Sequence, residues 1–158
     1  MDSDRDFDLR IFIDGACSGN PGEAAVGVVI FRDGEKVKEF SKEIGEATNN
    51  IAEYVALVYA MQEALILKAQ RVKIYTDSEL LFRQVVGRYR VKNQRIKIFF
   101  DIVQHLRSGF RYVEIEHIRR ERNKEADRLA SMALKARQAA TVAPMFSFIG
   151  EESPSSEG

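Results

Sequence analysis

The chain has 158 residues, enough for one domain with a sizeable core, and 45% of them are hydrophobic against 30% charged, an ordinary balance for a folded domain. No run of 18 apolar residues occurs, so no helical membrane span is expected, and the acidic opening MDSDRDFD lacks the apolar stretch of a signal peptide. A single cysteine, Cys17, permits no internal disulfide and no cysteine metal cluster, which makes a reducing, cytoplasmic setting the expectation. The net charge is zero but uneven. Residues 1–82 carry 9 Lys+Arg against 15 Asp+Glu, residues 83–124 carry 12 against 4, and residues 125–158 carry 3 against 5. The basic middle segment suits either a solvated helix face or a surface turned toward a polyanion.

Taken in chain order, residues 8–14 read as a core strand and Gly19–Gly22, with Asn20 and Pro21, as a turn. Ala24–Phe31 (AAVGVVIF) is a second strand, Asp33-Gly34 a hairpin signal, and Glu35–Ile44 a charged, half-exposed edge strand. From Asn50 the period becomes helical, and IAEYVALVYAMQEALILKA has almost no polar face, so it reads as a buried helix. Arg71–Thr76 is a fourth strand. Asp77–Val86 is a helix capped by Asp77 or Ser78, Gln94–Leu106 an amphipathic helix, Arg111–Ile118 a fifth strand, and Asn123 to about Ala140 a last helix. This order predicts an α/β fold: a mixed five-stranded sheet, three antiparallel strands plus two parallel, flanked by helices on both faces. Residues 1–7 are expected to be an N-terminal extension, 8–140 one domain, and 141–158 a partly mobile tail in which the apolar MFSFIG can dock.

Four acids fall where acids are costly. Asp14 ends the first strand and Asp77 the fourth, Glu53 shares a helical stripe with Ala56, Leu57, Ala60 and Ala64, and Asp127 shares one with Ala130, Ser131 and Leu134. Each has an ordinary explanation as a turn opener, a helix-terminal charge or an ion-pair partner of Arg119 or Arg120. Together those explanations weaken. If the first and fourth strands are parallel neighbours, Asp14 and Asp77 meet at the sheet edge where α/β proteins bind ligands. Crowded carboxylates repel, and a hard divalent cation resolves that conflict. All-oxygen ligation suits Mg²⁺ or Mn²⁺ rather than zinc.

The segments IDGACSGNPG, TNNIAEYVAL, YTDSELL and RNKEADRLA, in this order, resemble the ribonuclease H type 1 family over about Arg10–Leu134. The resemblance implies an endonuclease that hydrolyses the RNA strand of an RNA–DNA hybrid with two Mg²⁺ ions, Mn²⁺ substituting, and leaves 5′-phosphate and 3′-hydroxyl ends. It implies that Asp14 bridges both ions, that Glu53 and Asp77 hold the one on the leaving-group side, and that Asp127 holds the one carrying the attacking water. Two ions about 3.5–4 Å apart suit that chemistry. Asn20, Asn49 and Asn50 match amides that touch the minor groove of the hybrid, Thr48 matches a phosphate-pocket residue, and the small residues Gly15, Ala16, Cys17 and Ser18 let the RNA strand approach the backbone.

Two departures from the family pattern stand out. Arg90 runs directly into Val91, leaving no room for the basic protrusion many members insert there, and Arg88, Arg90, Lys92, Arg95 and Lys97 compensate in part. The loop before the last acid is short, and His117 in VEIEHI reads as a strand residue, so Arg119 or Arg120 is expected to meet the scissile phosphate instead. The same metal site is compatible with cleavage of double-stranded RNA. An inactive hybrid-binding module, or an integrase- or resolvase-like nuclease, accords less well with four retained acids. A monomer is the default expectation.

Overall fold

The computed structural model describes residues 7–142; the expected tail segment MFSFIG lies outside them. The elements are β1 (Leu9–Cys17), β2 (Gly22–Arg32), β3 (Glu35–Ala47), α1 (Asn49–Ile66), β4 (Arg71–Thr76), α2 (Glu79–Val85), α3 (Gln94–Arg107), β5 (Tyr112–His117) and α4 (Lys124–Val142), with a 3-10 turn at Arg120–Arg122. They build the expected mixed sheet in the order β3-β2-β1-β4-β5. β1 runs antiparallel to β2, which in turn pairs antiparallel with β3, and parallel β4 and β5 complete the other side. Among the described residues no helix is long and apolar enough to cross a membrane.

The continuous apolar run of β2 follows from burial on both faces. Val26, Val28 and Ile30 join Leu9, Ile11 and Ile13 of β1 and Tyr54, Leu57 and Met61 of α1 in the main core. On the opposite face Val29 packs with Ala126 and Leu129 of α4. β3 is the exposed, charged edge read from its sequence. Phe7, placed by sequence in the N-terminal extension, is buried; its ring stacks on Tyr112, with centroids 5.9 Å apart. The following Asp8 accepts the backbone N–H of Gln70 at 2.7 Å.

Three boundaries bear on the site; the first differs from the sequence reading, and the second decides between the two caps it offered. β1 continues past Asp14 to Cys17, so Gly15, Ala16 and Cys17 belong to the ladder with Val26, Ala25 and Ala24 rather than to a loop. The break expected at Asp14 does not occur because small residues on both strands keep pairing. The second helix is capped by Ser78, whose Oγ accepts from Leu81 N at 3.1 Å, and Asp77 is thereby free of capping duty. Thr48 caps α1 through its hydroxyl, which accepts from Ile51 N at 3.2 Å.

Gly27 sets the distance between α4 and the sheet. It pairs with Asp14 across the β1–β2 ladder, and a Cβ there would lie 2.2 Å from Ala126 O and 2.7 Å from Ala130 N. Both neighbours are helix backbone, which cannot swing aside. Gly34, at φ +83°, would have nothing within 4 Å of an added Cβ and is needed only for its turn conformation. Gly27→Ala is expected to cost about 3 kcal/mol in urea unfolding through overpacking, and Gly34→Ala about 1 kcal/mol; the reverse order would contradict close α4 contact at this position.

Candidate active site

The register β1–β4 aligns Ile13 with Thr76, so Asp14 and Asp77 are the next residues on two adjacent parallel strands. Glu53 reaches the same place from the first turns of α1. Gly15 permits this, because a Cβ on it would fall 2.6 Å from Ala52 C and 2.8 Å from Glu53 N. Strand and helix backbones therefore touch at the point where both carry a carboxylate. One ligand oxygen from each of Asp14, Glu53 and Asp77 lies within 4.8 Å of the others. Asp127 acts on the cluster through Asp14, whose ionisation it opposes, and sits on the helix that Gly27 admits to the sheet. Among the described residues no ion pair links Asp127 to Arg119 or Arg120, which removes its ordinary alternative.

The electrostatics express the crowding. The Asp14 carboxyl is pushed up to about 8, first by burial, then by the charge of Asp77 and by the neighbouring Asp127, against the opposing influence of the Gly15 backbone. Glu53 is held well above the usual carboxylate range by burial and then by Asp14 and Asp77; the Gly15 backbone and Arg120 oppose this. Glu53 Oε1 is buried with no protein partner. A buried oxygen without a donor, among acids that cannot all ionise unaided, fits a hard divalent cation.

Arg119 and Arg120 are both exposed, and of the two it is Arg120, in the 3-10 turn, whose charge reaches Glu53. His117 is the last residue of β5, as its sequence context implied. It is exposed and stacks on Phe82 with centroids 6.0 Å apart. The residues expected to meet substrate gather around the N-terminus of α1. Exposed Asn20 uses its Oδ1 to accept from Asn49 N at 2.9 Å, tying the β1–β2 turn to the helix. Asn50 Nδ2 approaches Gln84 Oε1 at 3.4 Å, and Gln84 Oε1 also accepts from Tyr54 OH at 3.0 Å. Ser18 is exposed at the turn. Cys17 turns its thiol to Ala47 O at 3.4 Å within a small apolar cluster, and burial raises its pKa, so its side chain serves packing.

Sequence reasoning missed Asn123. It is 1% exposed, and its Nδ2 donates both to Ile13 O at 2.8 Å and to Asp77 Oδ2 at 3.0 Å. An asparagine just before a helix reads as a cap, and that ordinary signal concealed its link to two strands.

A family model described as reverse transcriptase-like matches residues 12–133. Ribonuclease HI of Halobacterium salinarum is 37% identical over 132 residues, 83% of this chain and 66% of that protein. The chain belongs to the ribonuclease H type 1 family. A bifunctional protein of Mycobacterium tuberculosis is 39% identical over 149 residues, 92% of this chain, and the chain spans 41% of its length. The crystal structure of the Halobacterium ribonuclease H1 superposes with a TM-score of 0.79 at 36% identity, covering 81% of this chain and 98% of that one. A ribonuclease H1 designated LC11, solved in complex with an RNA/DNA hybrid, gives the same TM-score and identity over 82% of this chain and 99% of its own. The ribonuclease H fold thus accounts for the five-stranded sheet and its flanking helices.

Raised carboxylate pKa values have a definite sign in stability. Because folded Asp14 holds its proton up to about pH 8, against an ordinary value of 3.8, the metal-free fold loses stability as pH climbs through that window; Glu53 acts in the same direction. Asp14→Asn removes the charge and keeps the shape. At pH 8 without divalent cations it should melt about 5 °C above the parent chain, with little gain at pH 5. A lower melting temperature at pH 8 would mean that Asp14 is a structural residue rather than a repelled one.

Proposed function

We propose that the chain is a divalent-metal-dependent endoribonuclease that hydrolyses the RNA strand of RNA–DNA hybrids, with two Mg²⁺ ions, Mn²⁺ substituting, and 5′-phosphate and 3′-hydroxyl products. The observation that carries this reading is the meeting of Asp14, Glu53 and Asp77 oxygens within 4.8 Å beside an unpartnered Glu53 oxygen. The hybrid-bound LC11 relative supports the substrate assignment.

In this reading Asp14, whose carboxyl oxygen lies with those of Glu53 and Asp77 and whose ionisation Asp127 also opposes, would be the shared ligand, with Glu53 and Asp77 completing one ion's set and Asp127 contributing to the other. Bound there, divalent cations supply a water made nucleophilic near neutral pH and positive charge beside the departing 3′-oxygen. The protein's own residues place the strand. The turn at Ser18–Pro21 and the start of α1 form one surface, because Asn20 is bonded to Asn49. Amides there can both donate to and accept from base edges and 2′-hydroxyls, and the 2′-hydroxyl distinguishes RNA from DNA. Thr48, engaged as the α1 cap, offers its remaining hydroxyl proton to a phosphate oxygen. Arg120 brings a guanidinium to the rim of the acidic cluster, where a phosphate would otherwise be repelled.

The test is cleavage of labelled RNA–DNA hybrid, double-stranded RNA and double-stranded DNA with Mg²⁺, Mn²⁺ or EDTA. Metal-dependent cutting of the hybrid is expected, abolished by Asp14→Asn. Arg120→Ala should lower kcat about a hundredfold, and His117→Ala much less. Hybrid cleavage that persists in EDTA would sink the metal mechanism, and a larger loss for His117→Ala would reassign the phosphate contact.

A further inference from the structure

The side chain of Asn123 is not used as a helix cap. A capping asparagine accepts N–H groups of the first turn through Oδ1. Here Oδ1 is buried and has no protein partner, and the amide N–H groups are directed away from α4, to Ile13 O at 2.8 Å and Asp77 Oδ2 at 3.0 Å. The Asn123 carbonyl meanwhile accepts from the backbone N–H of Asp127 at 3.1 Å. One residue therefore holds the position preceding Asp14, the Asp77 carboxylate and the backbone of Asp127. It supplies a donor to a carboxylate that faces the repulsion of Asp14 and Glu53.

We propose that Asn123 is a positioning residue of the metal centre: its Nδ2 fixes the orientation of Asp77, and its unpartnered Oδ1 is kept as an acceptor for water carried by a bound divalent cation. This rests on the reading of the acidic cluster as a divalent-metal site. A ligating carboxylate free to rotate binds a cation more weakly than one held by a neighbouring donor, and loss of such outer partners commonly weakens metal binding by about 10–100-fold. The alternative is a clamp between β1 and α4 with no bearing on the cation. A clamp would affect melting alone.

The two are separated by the Mg²⁺ concentration that gives half of the metal-induced rise in melting temperature. Asn123→Ala should raise it tenfold or more, kcat on the hybrid should recover at high Mg²⁺, and KM for the hybrid at saturating Mg²⁺ should stay within twofold. In an Asp77→Ala background the same substitution should add less than twofold, because the carboxylate it positions is gone. Should Asn123→Ala fail to fold, Asn123→Ser is read in the same way. A lowered metal-free melting temperature with unchanged Mg²⁺ half-saturation would overturn the proposal, as would an undiminished shift in the Asp77→Ala background. If the parent chain's melting temperature does not respond to Mg²⁺ at all, the metal-centre reading fails and takes the proposal with it, an outcome distinct from a parent that responds and a variant that matches it.

Discussion

Mutual repulsion among crowded carboxylates, one buried and two half-buried, is the constraint around which this fold is organised. Asp14, Glu53 and Asp77 share a space in which they cannot all be charged without help. A domain selected for stability alone would replace such a cluster with apolar side chains. Instead, backbone is brought close to force the acids together. Gly15 lets β1 touch α1 beside Glu53, and Gly27 lets α4 approach β2 directly across from Asp14. The large aliphatic core between α1 and the sheet supplies the stability that lets the strand ends carry this strain.

Much of the architecture was legible because its signals are periodic. The apolar run Ala24–Ile30, the charge alternation of β3 and the helical period of α1 each reflect which faces are covered. The end of β1 was not legible. Asp14 and Gly15 look like punctuation, and strand signals fade over Ala16 and Cys17, yet tertiary pairing with Ala24–Val26 extends the strand. The 3-10 turn at Arg120–Arg122 likewise leaves no periodic trace in three residues.

The acids of the site were readable as charges misplaced on apolar stripes, and strand order then placed Asp14 beside Asp77. Asp127 opposes the ionisation of Asp14, a coupling that spacing along a helix does not reveal. Asn123 was hidden for a related reason: its partners are 110 and 46 residues distant in sequence, and no local pattern encodes such a link. The basic segment gains a place as well. Arg88 lies over the Phe82 ring and Arg83 over Tyr89, on and after the helix that follows Asp77.

On the proposed metal reading, the carboxylates hold protons in the metal-free fold and yield them to a divalent cation. Calorimetric titration with Mg²⁺ at pH 7, in buffers of differing ionisation enthalpy, measures this directly. The account predicts release of about one proton or more per chain on binding, lost in Asp14→Asn. Mg²⁺ binding with no proton release, or binding that Asp14→Asn leaves unchanged, would contradict it.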